Sequence, residues 1–570
     1  MKNLILFFSV SFILCACKQP DSSNTEKHPT QSKVSDTSSS NETSGDTSLS
    51  VEMLTKHIIT LSSDEFGGRG PASQGEALTI KYLEEEFTKA GLSPGNGDKF
   101  TQKVPLASVE AVNKPSLIIK SINGASDTAE LSYSTDQVVW TRQQLESVSL
   151  SDSELVFVGY GINAPERNWN DYAGIDVSGK TVIMLVNDPG YATQDEQLFN
   201  GNAMTYYGRW DYKFDEAGRQ GAAAAIIIHD TKPAAYGWST VANSWTGPQF
   251  DTVRTDKTAS LVMVEGWVTK DQAKTLFNQS GLNLDDMYEQ AKTPGFKAVP
   301  MTLNASTEIK NNLNSIESHN IMALVEGTEK PDEVFIYMAH WDHLGTDSSI
   351  EGDGIYNGAL DNATGTAGLL ELAKVYSHSK PKRSVLFLAV AAEEQGLLGS
   401  AFYAENPVFP LNKTIAGINM DGLNNFGRTK DVTIIGLGMS EIDGYFKKHA
   451  AIQDRVLMPD SESEKGYFYR SDHFELAKLG VPMSYPNSGY DHREKGRAYG
   501  EQKSEEYLNN HYHRVSDEYD PSWDLSGAIE DLQLYFLAGQ EIINSNAWPK
   551  WNEGTEFKAV RDEQMLEVNK

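Results

Sequence analysis

The order of apolar and polar residues predicts alternating strands and helices in two parts of the chain. Apolar residues recur at spacings of three and four over about 75–90, which predicts a helix that ends at Gly91. After residue 320 the pattern predicts strands at 333–339, 384–391 and 414–419, and helices at 366–376 and 525–543. Strands that alternate with helices are typical of an α/β fold, a mostly parallel mixed sheet with helices on both faces.

The middle of the chain has a different pattern. Between residues 131 and 305, short apolar runs alternate with loops rich in Trp, Tyr, Gly and Asn. The runs predict strands at 155–158, 180–186, 223–228 and 260–264. We therefore predict a separate β-rich domain inserted into the main domain. The predicted boundaries are 1–16 for a signal peptide, 17–50 for a disordered tether, 51–130 and 306–548 for the main domain, 131–305 for the insert and 549–570 for a C-terminal tail.

The first residues predict export. Lys2 precedes an apolar run at 4–14, and at about 1.5 Å per residue this run is too short to span a bilayer as a helix. It therefore has the pattern of a signal peptide. The residues that end at Cys17 resemble the lipobox of bacterial lipoproteins, which implies a lipid anchor on Cys17. Lys18 in the next position favours the outer membrane, facing the periplasm or the cell surface. The alternative is plain secretion with a cut near Ala16.

Charge and cysteine content narrow the classes of partner. The chain has 570 residues and a formal net charge of −30, which argues against nucleic acid and anionic lipid headgroups as partners. Its two cysteines both lie within the first 17 residues. If Cys17 is acylated and the signal peptide is removed, no disulfide can stabilise the folded part. Its stability must then come from the core and from any bound metal.

Acidic and histidine residues follow the predicted strands. They are His340, Asp342 and His343 after the first strand, Asp361 before a helix, Glu393 and Glu394 after the second strand, and Asp421 after the third. The carboxyl ends of parallel strands meet at one edge of a sheet, so these side chains should converge there. Unpaired, so many acids would repel one another, whereas two divalent cations would hold them together. His and carboxylate ligands without Cys favour zinc, with cobalt or manganese as alternatives. His513 is the best candidate for a second His ligand.

These motifs, in this order, resemble the M28 family of zinc metallopeptidases, which includes di-zinc aminopeptidases. The resemblance covers about 300–548 and implies the zinc-peptidase fold, which is phosphorylase/hydrolase-like. Residues 55–110 look like the family's N-terminal helix and loop. The middle segment is similar to a protease-associated (PA) domain, with VGYGI at 158–162 and GAAAAIII at 221–228.

The resemblance also implies a role for each site residue. Asp361 would bridge two zinc ions; His340 and Asp421 would complete one metal site, and Glu394 and His513 the other. Glu393 would be the general base that takes a proton from a water held between the ions. Asp342 would orient the imidazole of His340, since metal-bound histidines generally have such a partner. We also expect Asp517 to support His513, and His343 and His473 to be structural or to face the substrate.

The function implied is removal of N-terminal residues from peptides. A carboxypeptidase of the same fold that acts on acidic peptides is an alternative, because arginines that could bind a terminal carboxylate lie nearby: Arg470, Arg493, Arg497 and Arg514. A glutaminyl cyclase, which binds a single zinc, and a non-catalytic surface binding protein are further alternatives. Retention of all five ligand types argues against the cyclase, and an intact Glu393 argues against the binding protein.

Overall fold

The computed structural model describes residues 48–122, 128–254 and 260–568, with side chains described to residue 566. The predicted signal peptide, Cys17 and nearly all of the predicted tether lie outside the described residues. Within the described ranges, no helix has both the length and the apolar character that a membrane crossing requires.

The central sheet carries the residues that end the predicted strands. Its strands, in spatial order, are Gln249–Thr252, Thr101–Ala111, Val299–Val325, Arg383–Val390, Lys330–His340, Thr414–Asn419, Met483–Ser488, Asp431–Ile435 and Val456–Pro459, and Ser93–Pro94 pairs with the end of the third. The middle of this sheet, from Arg383–Val390 to Met483–Ser488, is parallel. The antiparallel pairs lie to either side of it.

Both faces of the central sheet are buried under helices. Along the strand Lys330–His340, Phe335, Tyr337 and Ala339 pack into one apolar cluster. Val334, Ile336 and Met338 alternate with them and pack into a second cluster on the other face. A strand that is covered on both faces has no polar side to expose, and so it reads in the sequence as an unbroken apolar run.

The helices are distributed over the whole chain. Their bounds are Val51–Leu61, Gln74–Lys89, Pro189–Thr193, Trp210–Arg219, Thr231–Ala234, Trp238–Ser244, Lys270–Gln279, Leu284–Ala291, Thr364–Ser377, Leu398–Glu405, Ile442–Ile452, His473–Lys478, Arg497–Asn510, Ser526–Asn544 and Lys558–Val568. The last of them shows that the segment predicted as a C-terminal tail carries a helix of its own. Trp551, just before that helix, is buried and its indole N–H donates to the carbonyl of Gly480.

The middle segment forms a second sheet with its own apolar clusters. The strands of this insert sheet are Gln137–Trp140, Val264–Thr269, Ala224–His229, Thr181–Leu185 and Ser147–Phe157, followed by the first part of Val299–Val325, Leu117–Ser121 and Thr128–Leu131. Four of these, from Val264–Thr269 to Ser147–Phe157, are parallel to one another. Small two-stranded pairs lie outside both sheets, at Asn163–Ala164 with Trp169–Asn170 and at Gly345–Thr346 with Ile355–Tyr356.

One strand belongs to both sheets. Val299–Val325 pairs with insert strands over residues 299–310 and with the strand Thr101–Ala111 over 311–321. Its last residues, 321–325, pair with Arg383–Val390 in the centre of the molecule. The insert is therefore joined to the central sheet by continuous extended backbone on this side.

The predicted α/β class is confirmed, since a mixed sheet lies between helices. The helix predicted at 75–90 is Gln74–Lys89, and the strand predicted at 414–419 is Thr414–Asn419. The strand predicted at 260–264 is wrong, because the chain becomes a strand only from Val264 to Thr269. The proposed division of the chain into domains, including the assignment of the insert as a PA domain, stays a prediction.

Candidate metal centre

The sequence-predicted ligands lie at one edge of the central sheet. His340 is the last residue of its strand, and Asp421 lies two residues beyond the end of Thr414–Asn419. Glu394 follows Arg383–Val390, the neighbouring parallel strand. Asp361 lies in the irregular turn before the helix Thr364–Ser377, and His513 lies in the loop before Ser526–Asn544. Because three adjacent parallel strands end here, residues far apart in the chain meet at this edge.

The two oxygens of Asp361 face two different groups of side chains. His340 Nε2 lies 3.3 Å from Asp361 Oδ1 and 3.2 Å from Asp421 Oδ1. His513 Nε2 lies 3.3 Å from Asp361 Oδ2 and 3.1 Å from Glu394 Oε2. A carboxylate that joins two such groups has the arrangement expected of a ligand shared by two metal ions.

The donors in this cluster suit divalent cations. The potential ligand atoms of His340, Asp361 and Asp421 lie within 4.8 Å of one another, and so do those of His343, Asp361 and Glu394. They are imidazole nitrogens and carboxylate oxygens, a set that fits several transition metals. His343 Nε2 is buried and has no hydrogen-bond partner among the described residues, so the second group itself includes an unused nitrogen donor. The residues therefore fit a metal pair.

The electrostatic coupling between these groups is strong. Burial disfavours the charge on Asp361, but hydrogen bonds from His340 and His513 outweigh it and hold the pKa of this carboxyl well below its usual range. Burial also disfavours the charge on His513, yet its contacts with Asp361 and Glu394 raise its pKa to about 10. The acids of the site therefore favour positive charge between them.

Glu393 differs from the acids that face the histidines. Burial, together with the charges of Asp421 and Glu394, raises the pKa of Glu393 well above its usual value, although His340 acts in the opposite direction. Its side chain lines the cavity beside the cluster. A carboxyl group with a raised pKa next to a cavity is suited to accept a proton and pass it on.

Asp342 makes a different contact from the one expected. His340 Nδ1 lies 3.2 Å from the backbone carbonyl oxygen of Asp342, whereas the nearer carboxylate oxygen is 4.0 Å away. The carboxylate instead accepts from the backbone N–H groups of Glu393, at 3.1 Å, and Glu394, at 3.4 Å. The side chain of Asp342 thus holds the turn that carries the two glutamates, and its backbone orients the imidazole of His340.

Asp517 also contacts a different partner. Its carboxylate is buried and accepts from the backbone N–H groups of Leu360, at 3.0 Å, and Asp361, at 3.1 Å. The hydroxyl of Tyr507 donates to the same carboxylate. Asp517 therefore positions the turn that carries Asp361, whereas the expectation was that it supports His513. The ring of His513 instead stacks on Tyr512, with 3.9 Å between the ring centroids.

Several supporting residues escaped the sequence reasoning. Ser471 donates to Asp421 Oδ2 at 2.6 Å, and the hydroxyl of Tyr485 donates to the same oxygen at 3.3 Å. Asn362 donates to the carbonyl of Met420, which ties the turn of Asp361 to that of Asp421. No local pattern marks Ser471 or Tyr485, since each contact joins segments that only the fold brings together.

The sequence also drew attention to two further histidines, His343 and His473. His343 directly extends the His340-Trp-Asp342 motif, and its Nδ1 lies 2.6 Å from Glu394 Oε1. His343 thus contacts a predicted ligand, and its own role, structural or facing the substrate, stays a prediction. His473, the other histidine of that expectation, is fully buried beside Phe468 and Tyr485.

The Gly-rich loop before Gln74–Lys89 supplies Arg69, whose side chain is fully buried. Its guanidinium donates to backbone carbonyls of Trp341, Asn357 and Gly358, all at 2.6–2.8 Å, and to that of Leu61 at 2.8 Å. The chain around Trp341 carries His340, and the chain after Gly358 carries Asp361. Arg69 therefore fixes the spacing of two segments that bear predicted ligands.

A cavity of about 360 Å³ opens beside the cluster. His340, Asp361, Glu393, Asp421 and His513 all line it, so the candidate ligands are accessible from this space. The rest of its wall combines aliphatic, aromatic, polar and acidic side chains, among them Leu423, Ile435, Tyr485, Tyr490, Tyr512, Asn487, Ser488, Asp460, Glu462, Lys503 and Arg470. A volume of this size can hold a short segment of peptide.

The comparisons with known proteins agree with this geometry. Residues 320–537 match the family model described as Peptidase family M28. This part of the chain is thus similar to the M28 peptidases. The matched segment contains all five candidate metal ligands, with His513 near its carboxyl end.

Known relatives match shorter parts of the chain. A "Probable zinc metalloprotease" of Pyrenophora tritici-repentis is 38% identical over 105 residues, which is 18% of this chain and 24% of that protein. "Aminopeptidase NAALADL1" of Mus musculus is 31% identical over 138 residues, 22% of this chain and 17% of that protein. The chain thus spans about a quarter or less of the length of these relatives.

Solved structures resemble the chain over a greater length. The aminopeptidase from Aneurinibacillus sp. strain AM-1 covers 87% of this chain and 93% of its own, with 20% identity and a TM-score of 0.45. BSAP, a zinc aminopeptidase from Bacillus subtilis, covers 88% and 98%, with 17% identity and a TM-score of 0.41. Glutaminyl cyclase from Bacteroides thetaiotaomicron covers 41% of this chain and 80% of its own, with a TM-score of 0.28.

Proposed function

We propose that the protein is a metal-dependent exopeptidase that removes N-terminal residues from peptides. The observation that carries this proposal is the position of Asp361, whose two oxygens face one His–carboxylate pair each. The match of residues 320–537 to Peptidase family M28 supports a peptidase. Relatives named as a zinc metalloprotease and as an aminopeptidase support zinc as the metal and the amino terminus as the end that is cleaved.

Five residues would hold two zinc ions. His340 and Asp421 would bind one ion, Glu394 and His513 the other, and Asp361 both. Cobalt or manganese would fit the same donors. When bound, such a pair lowers the pKa of a water molecule and polarises a carbonyl group.

The chain's own residues supply the proton transfer and the alignment. Glu393 lines the cavity and would take a proton from the attacking water and deliver it to the departing amine. The carboxylate of Asp342 holds the backbone of Glu393 and Glu394, so the base and a ligand keep a fixed relation. Asp517 does the same for the turn of Asp361.

The first test measures which peptides are hydrolysed. The purified protein is treated with chelator, reloaded with zinc, and assayed with aminoacyl chromogenic substrates, with N-acetylated peptides and with peptides amidated at the carboxyl end. We expect zinc-dependent cleavage of substrates with a free amino group and none of N-acetylated ones. Cleavage of N-acetylated peptides but not of amidated ones would instead establish a carboxypeptidase.

Glu393→Gln tests the proposed base. Removal of a general base typically costs about 10²–10⁴-fold, so we expect kcat to fall within that range while the zinc content stays at two per chain. Glu405→Gln is a matched control, because Glu405 is exposed on the next helix of the same segment. One zinc per chain, together with cyclisation of N-terminal glutamine, would identify a glutaminyl cyclase instead.

We also propose that the protein is exported and anchored to the outer membrane by a lipid on Cys17. Residues 2–17 support this through their basic start, apolar run and terminal cysteine. Labelled fatty acid should be incorporated into the wild-type protein but not into the Cys17→Ala variant. Equal labelling of both would overturn the proposal.

A further inference from the structure

One arginine in the cavity wall has no carboxylate partner among the residues that the structure describes. Arg470 lines the cavity together with Glu393 and Asp361. Its Nε atom is buried and makes no hydrogen bond within the part of the chain that the structure describes. Its guanidinium lies over the ring of Tyr467, with Cζ 5.5 Å from the ring centroid. Arg470 as a whole is half-buried. A guanidinium that is partly removed from water without an opposite charge is costly, unless a ligand supplies that charge.

The electrostatic surroundings of Arg470 leave its charge uncompensated. The groups that act on it most strongly after burial are another cation, Arg209 of the insert, and the phenols of Tyr236, Tyr467 and Tyr512. Burial and Arg209 together lower the pKa of Arg470 from its usual value. Arg209 has its own acid, with Nε 3.4 Å from Asp211 Oδ1.

The other candidate arginines are occupied or lie elsewhere. Arg493 Nη2 is 3.0 Å from Glu530 Oε1, and Arg497 Nε is 2.7 Å from Glu501 Oε1. Arg514 is exposed, and none of these three arginines is among the residues that line the cavity. Lys503, a cation that does line it, lies 2.8 Å from Glu506. Arg470 is thus the lining cation whose charge is left for a ligand.

The chain holds Arg470 close to the candidate metal centre. Arg470 immediately precedes Ser471, which donates to Asp421 Oδ2. Its backbone N–H donates to the carbonyl of Tyr467 at 3.1 Å, which fixes the turn that carries it. A guanidinium binds a carboxylate through two parallel hydrogen bonds, with both energy and orientation specified.

We propose that Arg470 forms a carboxylate-binding subsite beside the metal centre, so that the preferred substrates are short peptides that present a carboxylate to it. This inference rests on the proposed peptidase function. The carboxylate has two sources with the same chemistry: the carboxyl terminus of a di- or tripeptide, or the side chain of an acidic residue.

Four peptides separate the two sources. They are Leu-Ala, Leu-Ala amide, Leu-Glu amide and Leu-Gln amide, each assayed with the zinc-loaded protein. If the terminus is bound, kcat/KM for Leu-Ala should exceed that for its amide at least tenfold. If a side chain is bound, Leu-Glu amide should exceed Leu-Gln amide by the same factor. Ratios near one in both pairs would overturn the subsite while leaving the peptidase proposal intact.

Arg470→Met then assigns the preference to this residue. We expect it to lower kcat/KM at least tenfold for the preferred carboxylate substrate, mainly through KM, and to change kcat/KM for the matched neutral peptide less than threefold. Arg470→Lys should retain part of the preference, since it keeps the charge but not the two-pronged geometry. Arg497→Met, which removes a cation outside the cavity, should leave both ratios as in the wild type.

Binding without turnover keeps the two proposals distinguishable. If none of the four peptides is hydrolysed, the proposed function fails, and calorimetry with the same peptides still tests the subsite. The carboxylate peptide should bind the wild-type protein at least tenfold more tightly than it binds Arg470→Met. Equal affinity for both proteins would overturn the subsite on its own. If Arg470→Met does not fold, the kcat/KM ratios measured with the wild-type protein decide whether the subsite exists.

Discussion

Side chains outside the set of candidate ligands determine where those candidate ligands lie. Asp342, Asp517 and Arg69 all act on backbone groups of neighbouring segments. Such contacts fix a ligand by fixing the turn that carries it. Substitution of such a side chain lowers the stability of the fold, because it takes a hydrogen-bond partner away from buried polar atoms.

Arg69→Met should destabilise the whole fold. It would remove a charged donor from four buried backbone carbonyls, of which, within the described residues, only that of Gly358 keeps a second donor, the N–H of Ala363. Hydrogen bonds from charged groups contribute roughly 1.5–3 kcal/mol each. We expect the free energy of unfolding to fall by about 3 kcal/mol or more, measured by urea denaturation. Lys81→Met removes an exposed cation from the following helix and should change stability by about 0.5 kcal/mol or less. Equal stability of the two variants would contradict this account of Arg69.

Ser471→Ala should weaken metal binding and leave the fold intact. Its hydroxyl donates to Asp421 at 2.6 Å and accepts from the side-chain amide of Asn419 at 2.7 Å. Loss of a group that supports a ligand typically costs about 10–100-fold in metal affinity. Competition with a chromogenic chelator measures this change. Ser400→Ala is the control, because Ser400 donates in the same way to Asp472, which is not among the proposed ligands.

The sequence predicted the convergence of the candidate ligands better than it predicted the contacts around them. His340, Asp361, Glu394 and Asp421 each follow or precede an element with a clear apolar pattern, so their convergence could be inferred from topology alone. The partners of Asp517 could not be inferred in this way, because its carboxylate binds backbone groups of Leu360 and Asp361. Backbone donors have no signature in the residue order.

At the scale of elements, the two N-terminal helices depend on a buried histidine. His57 of Val51–Leu61 is 3% exposed, and its Nδ1 lies 2.7 Å from the hydroxyl of Tyr82 on Gln74–Lys89. Burial lowers the pKa of His57 to about 4, with Glu86 acting in the opposite direction. Burial between the two helices therefore favours the neutral imidazole.

This depressed pKa predicts acid sensitivity. Below about pH 6.5 the unfolded chain binds a proton on His57 while the folded chain does not, so stability falls as the pH drops from 6.5 towards 4. Between pH 7.5 and 5 the wild-type protein should lose about 2 kcal/mol more than His57→Phe does. Urea denaturation of both proteins at the two pH values measures the difference. An identical pH dependence would show that His57 is protonated in the fold.

Element prediction succeeded where the apolar pattern was continuous. The strands at 333–339 and 384–391 are covered on both faces, so every residue in them contributes to the signal. The strand predicted at 260–264 was misplaced. Val262 is as buried as Val264, although the strand begins only at Val264. Burial without strand pairing gives the same apolar run.

At the scale of the whole molecule, metal binding should stabilise the fold. A ligand present at 100 times its dissociation constant contributes about 2.7 kcal/mol, and the acids around Asp361 repel one another less when a cation lies between them. Chelation should therefore lower Tm by several degrees, and zinc should restore it. Differential scanning fluorimetry with and without chelator measures the shift. A Tm that chelation leaves unchanged would contradict a metal pair in this position.

The strand shared by the two sheets also constrains how the chain can change in evolution. Successive residues of Val299–Val325 point to opposite faces, and the strand is paired along most of its length in one sheet or the other. Loss of a single residue near its middle would shift one half by one position relative to the other half. The inward and outward side chains of that half would then exchange places. Differences in length between natural homologues should therefore accumulate in the loops of the insert and spare this strand.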